Sequence, residues 1–303
     1  MENKCIIEKL QLIIPQTMDG WTVERVLRRE VGVSRTLLRR AKRNRVILLN
    51  QLPVKTNVTV KTGEVLELWM GSQETQVVPE RMELNILYED AHLLAVNKPP
   101  GMLVHPLTNE TSGTLANGVL YHWLQQGTID RFRPVHRLDR NTSGIVLIAR
   151  NPYVQQQLQI QMKQGQFVRR YLALVKGKVQ PEQGVIQAPI ALEEGSFIKR
   201  MISPAGKEAI SHYQVLRTFN QASLVRVELE TGRTHQVRVH MAHMGHPLLG
   251  DSLYGGDTSN IKRQALHCAY LAFNHPVQGS RIKISCSVAG DIRQLMEEHS
   301  KKA

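Results

Sequence analysis

The apolar positions of the first seventy residues recur first at helical and then at strand spacing. Residues 23–27 place apolar side chains on one helical face. A second helical pattern, residues 35–44, begins directly after Ser34, a residue type that commonly caps helices. Two strand-like stretches follow at residues 46–50 and 61–68, and the second is typical of a sheet edge. The pattern predicts a small αβ unit.

Beyond a polar stretch at residues 73–83, which indicates a linker, strand and helix patterns occur without regular β-α-β alternation. Strand patterns cover residues 84–90, 93–101, 169–177, 207–219 and 222–232, and helical patterns cover residues 112–127, 151–165 and 291–299. The last two strands are adjacent and amphipathic, which predicts an antiparallel hairpin. We therefore predict an α+β protein. A small N-terminal αβ domain (residues 1–72, core about 20–70) precedes a domain over residues 84–303, whose mixed, mainly antiparallel sheet is flanked by helices.

Charge is the compositional feature that narrows the function. The 303 residues carry a formal net charge of +13, with a pI near 9.9, and 42% of them are hydrophobic. This balance favours a polyanionic partner, nucleic acid before an anionic membrane. No apolar run approaches the ~18 residues that span a bilayer. The start of the chain lacks the features of a signal peptide, and three widely spaced cysteines argue against a disulfide framework or a zinc site. We expect a cytoplasmic protein.

The stretch "VHRLDRNTSGIVLIAR", residues 135–150, sets one carboxylate among cations at the start of an apolar strand. Asp139 lies between Arg137 and Arg140, and nearby cations favour the ionised form, which suits a nucleophile or general base. The simpler alternative is a turn-capping or surface ion-paired aspartate. His136 falls on the other side of an extended chain and is a poor partner for Asp139.

A second cluster, "ELETGRTHQVRVHMAHMGH" at residues 228–246, contains four histidines. Metal-binding helices usually use i,i+4 pairs with a nearby acid, and the acids here precede the turn, so we expect no metal. Arg233 follows Thr231-Gly232 at a strand-to-helix turn, where a long cation can reach into a cleft. Tyr171, in the apolar strand "RRYLALVKG", is either a core residue or a ring that stacks on a nucleobase.

The helix after Ser34 carries cations of one sign without interleaved glutamates. Residues 34–68 resemble the small αβ RNA-binding domain first known from a primary-binding protein of the small ribosomal subunit. The alternative is an ordinary solvated helix face. The candidate RNA-binding residues are Ser34, Arg35, Arg39, Arg40 and Arg43.

Taken in order, several motifs resemble the RluA-type family of RNA pseudouridine synthases. They are "NKPPGMLVHP", "HRLDRNTSGIVLIAR", "RRYLALVKG", "AGKEAISHYQVL", "VRVELETGRTHQVRVHMAHMGHPLLGDSLYG" and "ALHCAYLAFNHP". The resemblance covers roughly residues 84–290. It implies an enzyme that detaches uracil from its ribose, rotates it and rejoins it through carbon, without a cofactor.

By the same resemblance, Asp139 is the catalytic group, paired with Arg233, and Tyr171 lies against a uracil flipped out of its stack. Arg137 fills the vacated space in the RNA, and inward-facing Leu229 walls the pocket. His136 and Thr142 complete the candidate substrate-binding set. Asp139 could attack the sugar carbon to form an ester or remove a ribose proton to give a glycal, and both alternatives remain open.

Two rival functions explain part of the sequence pattern. A non-catalytic RNA-binding or ribosome-assembly protein explains the charge but not the matching Asp139, Tyr171 and Arg233. A nuclease needs clustered acids or paired histidines, and the surroundings of Asp139 are cationic. The resemblance leaves ribosomal or transfer RNA as the partner, and the N-terminal domain favours large-subunit ribosomal RNA. The absence of a long exposed apolar segment predicts a monomer.

Overall fold

The computed structural model describes residues 9–70, 75–128 and 131–301. Its N-terminal part is a four-stranded antiparallel sheet in the order β1-β4-β2-β3, covered by short helical segments. The strands are β1 (Lys9–Ile13), β2 (Ile47–Leu49), β3 (Leu52–Pro53) and β4 (Val65–Trp69), and the helices are α1 (Val23–Arg25), a π-helical turn (Val26–Glu30) and α2 (Arg35–Asn44). The predicted small αβ unit is therefore present.

Helix α2 forms where its sequence predicted. The Ser34 side chain accepts a hydrogen bond from the backbone N–H of Leu37 at 3.2 Å, as an N-cap does. Leu37, Leu38 and Ala41 are buried against the sheet, and the helix ends at Arg45 in the left-handed conformation. The charged side chains are left on the outer faces of the helix.

The prediction that residues 61–68 form an edge strand was wrong. Strand β4 lies inside the sheet, because β1 pairs with it on one side and β2 on the other. The pairing that covers β4 comes from residues 9–13, which are far from it in sequence. The alternation within β4 alone could not reveal this neighbour.

The described part of the predicted linker lies against the second domain. The Asn117 side-chain amide donates to the carbonyl of Val78 at 2.8 Å, and the backbone N–H of Glu80 donates to the carbonyl of Asn117 at 3.0 Å. The Glu80 carboxylate also accepts the backbone N–H of Gly113 at 2.7 Å. Residues 78–80 are therefore fixed to the start of the first large helix.

The second domain is built on a nine-stranded sheet in the order β5-β6-β7-β14-β8-β13-β12-β9, with β15 paired to β14. Its strands are β5 (Ile86–Glu89), β6 (Leu93–Lys98), β7 (Ser143–Ala149), β8 (Val168–Lys176), β9 (Gln183–Gln187), β12 (Ile210–Thr218), β13 (Ala222–Leu229), β14 (Leu266–Asn274) and β15 (Arg281–Ser285). The helices are α3 (Leu115–Gln125), α4 (Pro152–Lys163), α5 (Gln236–His243) and α6 (Gly290–Lys301), and a separate hairpin joins β10 (Ile190–Leu192) to β11 (Arg200–Ile202).

Only β7 and β14 run parallel in this sheet among the described strands. The predicted α+β class, with a mixed, mainly antiparallel sheet, is thus confirmed. The predicted hairpin is also present, since β12 and β13 pair antiparallel. All seven residues of β7 are buried, as expected for an interior strand with both faces covered.

Gly144 allows β7 to begin against β14. Its φ of +110° is open to glycine and strained for other residues. A Cβ atom at this position would lie 2.3 Å from the carbonyl oxygen of Cys268. This close backbone approach fixes the entrance of β7, and with it the turn that carries Asp139.

The N-terminal domain contacts the second domain through α4. The carbonyl of Gly32 accepts the side-chain amide of Gln156 at 2.6 Å, and the backbone N–H of Ser34 donates to the carbonyl oxygen of the same side chain at 2.9 Å. The Tyr153 hydroxyl donates to the carbonyl of Val31 at 3.0 Å. The loop that leads into the basic helix α2 is therefore docked on the second domain.

Candidate active site

Asp139 lies on a tight turn at the entrance of β7. Its backbone carbonyl accepts the N–H of Thr142 at 3.0 Å, which closes the turn. Thr142 is buried, and its hydroxyl accepts the side-chain amide of Gln264 at 3.1 Å. Leu138 is also buried. These anchors leave the Asp139 side chain 28% exposed, open to a ligand but held on a rigid support.

The cation that reaches this carboxylate is Arg238, on α5. Its Nη1 lies 3.4 Å from Oδ2 of Asp139. Its Nε and Nη2 donate to the two carboxylate oxygens of Asp251, at 2.6 Å and 2.8 Å. Burial opposes the charge of Arg238, but its hydrogen bonds to Asp251 raise the pKa of the guanidinium above its usual value. Asp251 thus fixes the plane of the guanidinium and directs the remaining nitrogen at Asp139.

The predicted pairing of Asp139 with Arg233 was wrong. Arg233 is exposed, and its Nε donates to the backbone carbonyl of Glu208 at 2.8 Å. Between Arg233 and α5 the chain passes through His235 in the left-handed conformation, with φ +60°. This break in direction leaves Arg233 on an outer turn and brings Arg238, on the helix, to the carboxylate.

The cations next to Asp139 in sequence are not its partners in space either. Arg140 forms a two-pronged ion pair with Glu110, with Nη1 2.9 Å from Oε1. The side chain of Arg137 is exposed and forms no hydrogen bond or ion pair with the residues that the structure describes. It is therefore available to a ligand.

A buried lysine supports the Asp139 turn from below. Lys98, at the end of β6, is 0% exposed and donates to three backbone carbonyls, those of Pro99, Met102 and Arg140, at 2.8–2.9 Å. Burial lowers its pKa to about 7, and the neighbouring Arg263 adds to this effect while Asp139 opposes it. Lys98 thus joins the "NKPPGM" loop to the residue that follows Asp139.

An apolar wall lies beside this turn. Tyr171 on β8 pairs with Val227 on β13 and with Cys268 on β14. Tyr171 and Leu229 are 5% and 7% exposed. Burial raises the pKa of Tyr171 above its usual value, and the charge of Asp139 contributes in the same direction. A tyrosine in this state remains a protonated ring.

Comparisons with known proteins identify the family of the chain. A sequence model of the RNA pseudouridylate synthase family matches residues 92–243. The uncharacterized RNA pseudouridine synthase YhcT of Bacillus subtilis is 36% identical over 289 residues, 94% of this chain and 96% of that protein. The chain belongs to the RNA pseudouridine synthase family. It is a pseudouridine synthase.

The synthase is also similar to a second curated relative and to a solved structure. Ribosomal large subunit pseudouridine synthase D of Xylella fastidiosa is 38% identical over 265 residues, 82% of this chain and 80% of that protein. The solved structure of human RNA Pseudouridylate Synthase Domain Containing 4 has a TM-score of 0.59 at 24% identity, covering 71% of this chain and 93% of that chain. The human structure supports the fold, and the predicted RluA-type family is confirmed.

Two proposed substrate-binding residues of the synthase lie away from the open side of Asp139. His136 is buried, its Nε2 accepts the backbone N–H of Leu147 at 3.4 Å, and its ring contacts Phe167. Burial lowers the pKa of His136 to about 3, so the ring is neutral. Thr142 holds the Asp139 turn, because its backbone N–H donates to the carbonyl of Asp139. Both positions fit a support for Asp139 better than contact with a substrate.

His240, in the cluster of histidines at residues 228–246, lies in ordinary hydrogen bonds. His240 is buried between the hydroxyl of Ser211, at 2.9 Å, and the carbonyl of Ala188, at 3.0 Å. Within residues 9–70, 75–128 and 131–301, no group of three or more His, Cys, Asp or Glu side chains could hold a metal ion. In the same ranges no helix combines the length and the apolarity that crossing a membrane requires.

The candidate RNA-binding residues of the synthase lie along α2. Arg35, Arg39 and Arg43 are exposed, and Arg40 is half-buried. Ser34 serves as the helix cap and also contacts α4. The structure therefore presents three of the predicted cations to solvent on a helix whose first residue is fixed to the catalytic domain.

Sequence reasoning missed Arg238, Asp251 and Lys98, although each leaves a signal. Arg238 stands between two valines in a helix of buried residues, and a buried cation requires a partner. Asp251 lies in the "GDSLYG" turn, and Lys98 ends an apolar strand. A search for charged residues inside apolar runs would have found Arg238 and Lys98, though not which partners they contact.

Proposed function

We propose that this synthase converts uridine to pseudouridine in large-subunit ribosomal RNA, with Asp139 as the reacting carboxylate. One observation carries the proposal. Asp139 is a partly exposed carboxylate on a rigid turn, with a buried guanidinium 3.4 Å away and the apolar Tyr171 wall beside it. This combination suits a charged group that must meet a planar base and its sugar in a site that water enters poorly.

The chemistry requires a carboxylate near the ribose. The bond between N1 of uracil and C1′ breaks, a bond between C5 and C1′ forms, and the C5 proton is lost while N1 gains a proton. An ionised Asp139 can either bond to C1′ or remove a ribose proton, and Arg238 stabilises its negative charge in both cases. The ring of Tyr171 offers a flat surface for the uracil.

The uridine reaches this site by leaving its stack, which costs a few kcal/mol. The exposed Arg137 guanidinium, two residues before Asp139, is free to occupy the space that the base leaves. The cations on α2 bind the phosphate backbone without reading its sequence. The choice of large-subunit ribosomal RNA is supported by the relative named for that substrate and by the basic N-terminal domain.

The first test replaces Asp139 with asparagine, which keeps the shape and removes the charge. Incubation with RNA extracted from cells that lack the protein, followed by measurement of tritium released from C5-labelled uridine, is expected to show no turnover, while RNA binding is retained. Asp257→Asn, at an exposed carboxylate outside the site, is the matched control. Turnover by Asp139→Asn would refute the assigned role.

The second test identifies the RNA. Pseudouridines are mapped in ribosomal and transfer RNA from cells with and without the protein. The proposal expects a site in large-subunit ribosomal RNA that disappears with the gene and returns with the wild-type chain. Loss confined to transfer RNA would replace the proposed substrate and leave the assigned chemistry intact.

A further inference from the structure

Tyr254 connects a surface hairpin to the neighbourhood of Asp139. Its hydroxyl oxygen accepts the backbone N–H of Arg200, the first residue of β11, at 2.9 Å. The same oxygen lies 2.9 Å from Nδ1 of His235. The other ring nitrogen of His235, Nε2, lies 3.9 Å from Oδ2 of Asp139. These four residues form a continuous path from the β10–β11 hairpin to the carboxylate.

The hydrogen bonds of Tyr254 favour one position for the proton of His235. A phenol oxygen that accepts the Arg200 N–H still has one proton to donate, and the acceptor in reach among the described residues is Nδ1 of His235. A neutral imidazole that accepts at Nδ1 carries its proton on Nε2. Burial lowers the pKa of His235, which favours the neutral ring. The N–H of His235 therefore faces Asp139.

Both partners of Asp139 approach the same carboxylate oxygen. Nη1 of Arg238 lies 3.4 Å and Nε2 of His235 lies 3.9 Å from Oδ2. Oδ1 has no hydrogen-bond partner among the described residues. Oδ2 thus accepts from Arg238 and has His235 nearby, whereas Oδ1 is left open to a ligand.

The backbone of His235 supports a role for its side chain. Its φ of +60° and ψ of +16° place it in the left-handed region, which few residues other than glycine adopt, although histidine tolerates it better than most. It stands at the N-cap of α5 without forming the side-chain cap bond that serine or aspartate would provide. The side chain is 9% exposed and points instead to Tyr254 and Asp139. Strained positions of this kind cluster at functional sites.

We propose that His235 is a positioning residue for the reaction: Tyr254 fixes its Nε2–H tautomer, and this N–H, together with Arg238, holds Oδ2 of Asp139 so that Oδ1 meets the substrate. A distance of 3.9 Å is longer than a hydrogen bond, and a closure of about 1 Å brings the N–H into range. Such bonds commonly tighten when the substrate binds. The proposal rests on the assignment of Asp139 as the reacting carboxylate.

The tautomer is tested directly by nuclear magnetic resonance on the full chain with ¹⁵N-labelled histidine. The His235 signals are assigned by their loss in the variant His235→Asn. Asparagine is chosen because it accepts the left-handed backbone better than most residues. At neutral pH the wild type is expected to show the Nε2–H form, and Tyr254→Phe is expected to show a mixture with the Nδ1–H form. A wild-type ring protonated on Nδ1, or on both nitrogens, would overturn the proposal.

Kinetics provides the second readout. Tyr254→Phe and His235→Asn are expected to lower the single-turnover rate about tenfold, the size expected for one lost hydrogen bond, with RNA affinity unchanged within about twofold. Tyr213→Phe, at a buried tyrosine outside the site, is the matched control and keeps the wild-type rate. Wild-type rates in both site variants would also overturn the proposal. Turnover by Asp139→Asn would refute the assigned carboxylate while leaving the tautomer result intact, so the two failures are distinguishable.

Discussion

Lys98 makes the stability of the protein depend on pH in a way that can be calculated from the structure. Its ammonium group is 0% exposed, and its three hydrogen-bond partners are neutral carbonyls, without a bonded carboxylate. Burial lowers its pKa from 10.5 to about 7. The folded protein therefore binds fewer protons than the unfolded chain between these two values, so the free energy of unfolding rises with pH across this window.

The size of the effect follows from the two pKa values. At 1.36 kcal/mol per pKa unit, the Lys98 contribution to the free energy of unfolding rises by about 5 kcal/mol in total as the pH increases from below 7 to above 10.5. Between pH 7 and pH 9 the Lys98 contribution is expected to rise by about 2 kcal/mol. Lys98→Met removes the titrating group, and the loss of its hydrogen bonds to the three carbonyls is an offset that does not change with pH.

The assay is denaturant unfolding of the wild type and of Lys98→Met at pH 7, 8 and 9. The difference in unfolding free energy between the two proteins is then plotted against pH, which cancels the other titrating groups. Lys283→Met, at an exposed lysine of the same domain, controls for the loss of a charge. If this difference changes by less than about 0.5 kcal/mol from pH 7 to pH 9, the conclusion that Lys98 is buried with a lowered pKa is refuted.

Three further predictions address the site and the RNA surface. Arg238→Lys is expected to lower turnover about 100-fold, because an ammonium group cannot bind Asp251 with two parallel bonds and still reach Asp139. The control Arg233→Lys is expected to change turnover less than about threefold, and steady-state rates on the same RNA measure both effects. Asp251→Asn is expected to destabilise the fold by about 3–5 kcal/mol in denaturant unfolding, because it removes the buried charge that binds two of the three nitrogens of the Arg238 guanidinium. A loss below about 1 kcal/mol would contradict this. Arg39→Gln is expected to reduce the slope of log affinity for RNA against log salt by about 1, and an unchanged slope would exclude Arg39 from phosphate contact.

Local chemistry was predictable from the sequence, and partner choice was not. The Ser34 cap and the bounds of α2 depend on residues within one helical turn, and both agree with prediction. The Asp139 turn and the buried strand after it were predictable for the same reason. The choice of Arg238 over Arg233 depends on a left-handed residue between them and on a carboxylate 13 positions beyond Arg238, which no local pattern contains.

The β7–α4 unit joins the Asp139 turn to the N-terminal domain that carries the basic helix α2. The Asp139 turn leads directly into β7, and α4 begins immediately after that strand, capped by Asn151. Gln156, the fifth residue of α4, forms hydrogen bonds with both Gly32 and Ser34 of the N-terminal domain. Helix α2 begins directly after Ser34, so the strand that positions the Asp139 carboxylate also positions the start of this helix. A single buried strand, β7, thus sets the distance between the exposed arginines of α2 and Asp139. Under the proposed function, an RNA substrate must match this distance to place a uridine at Asp139 while its phosphates contact α2.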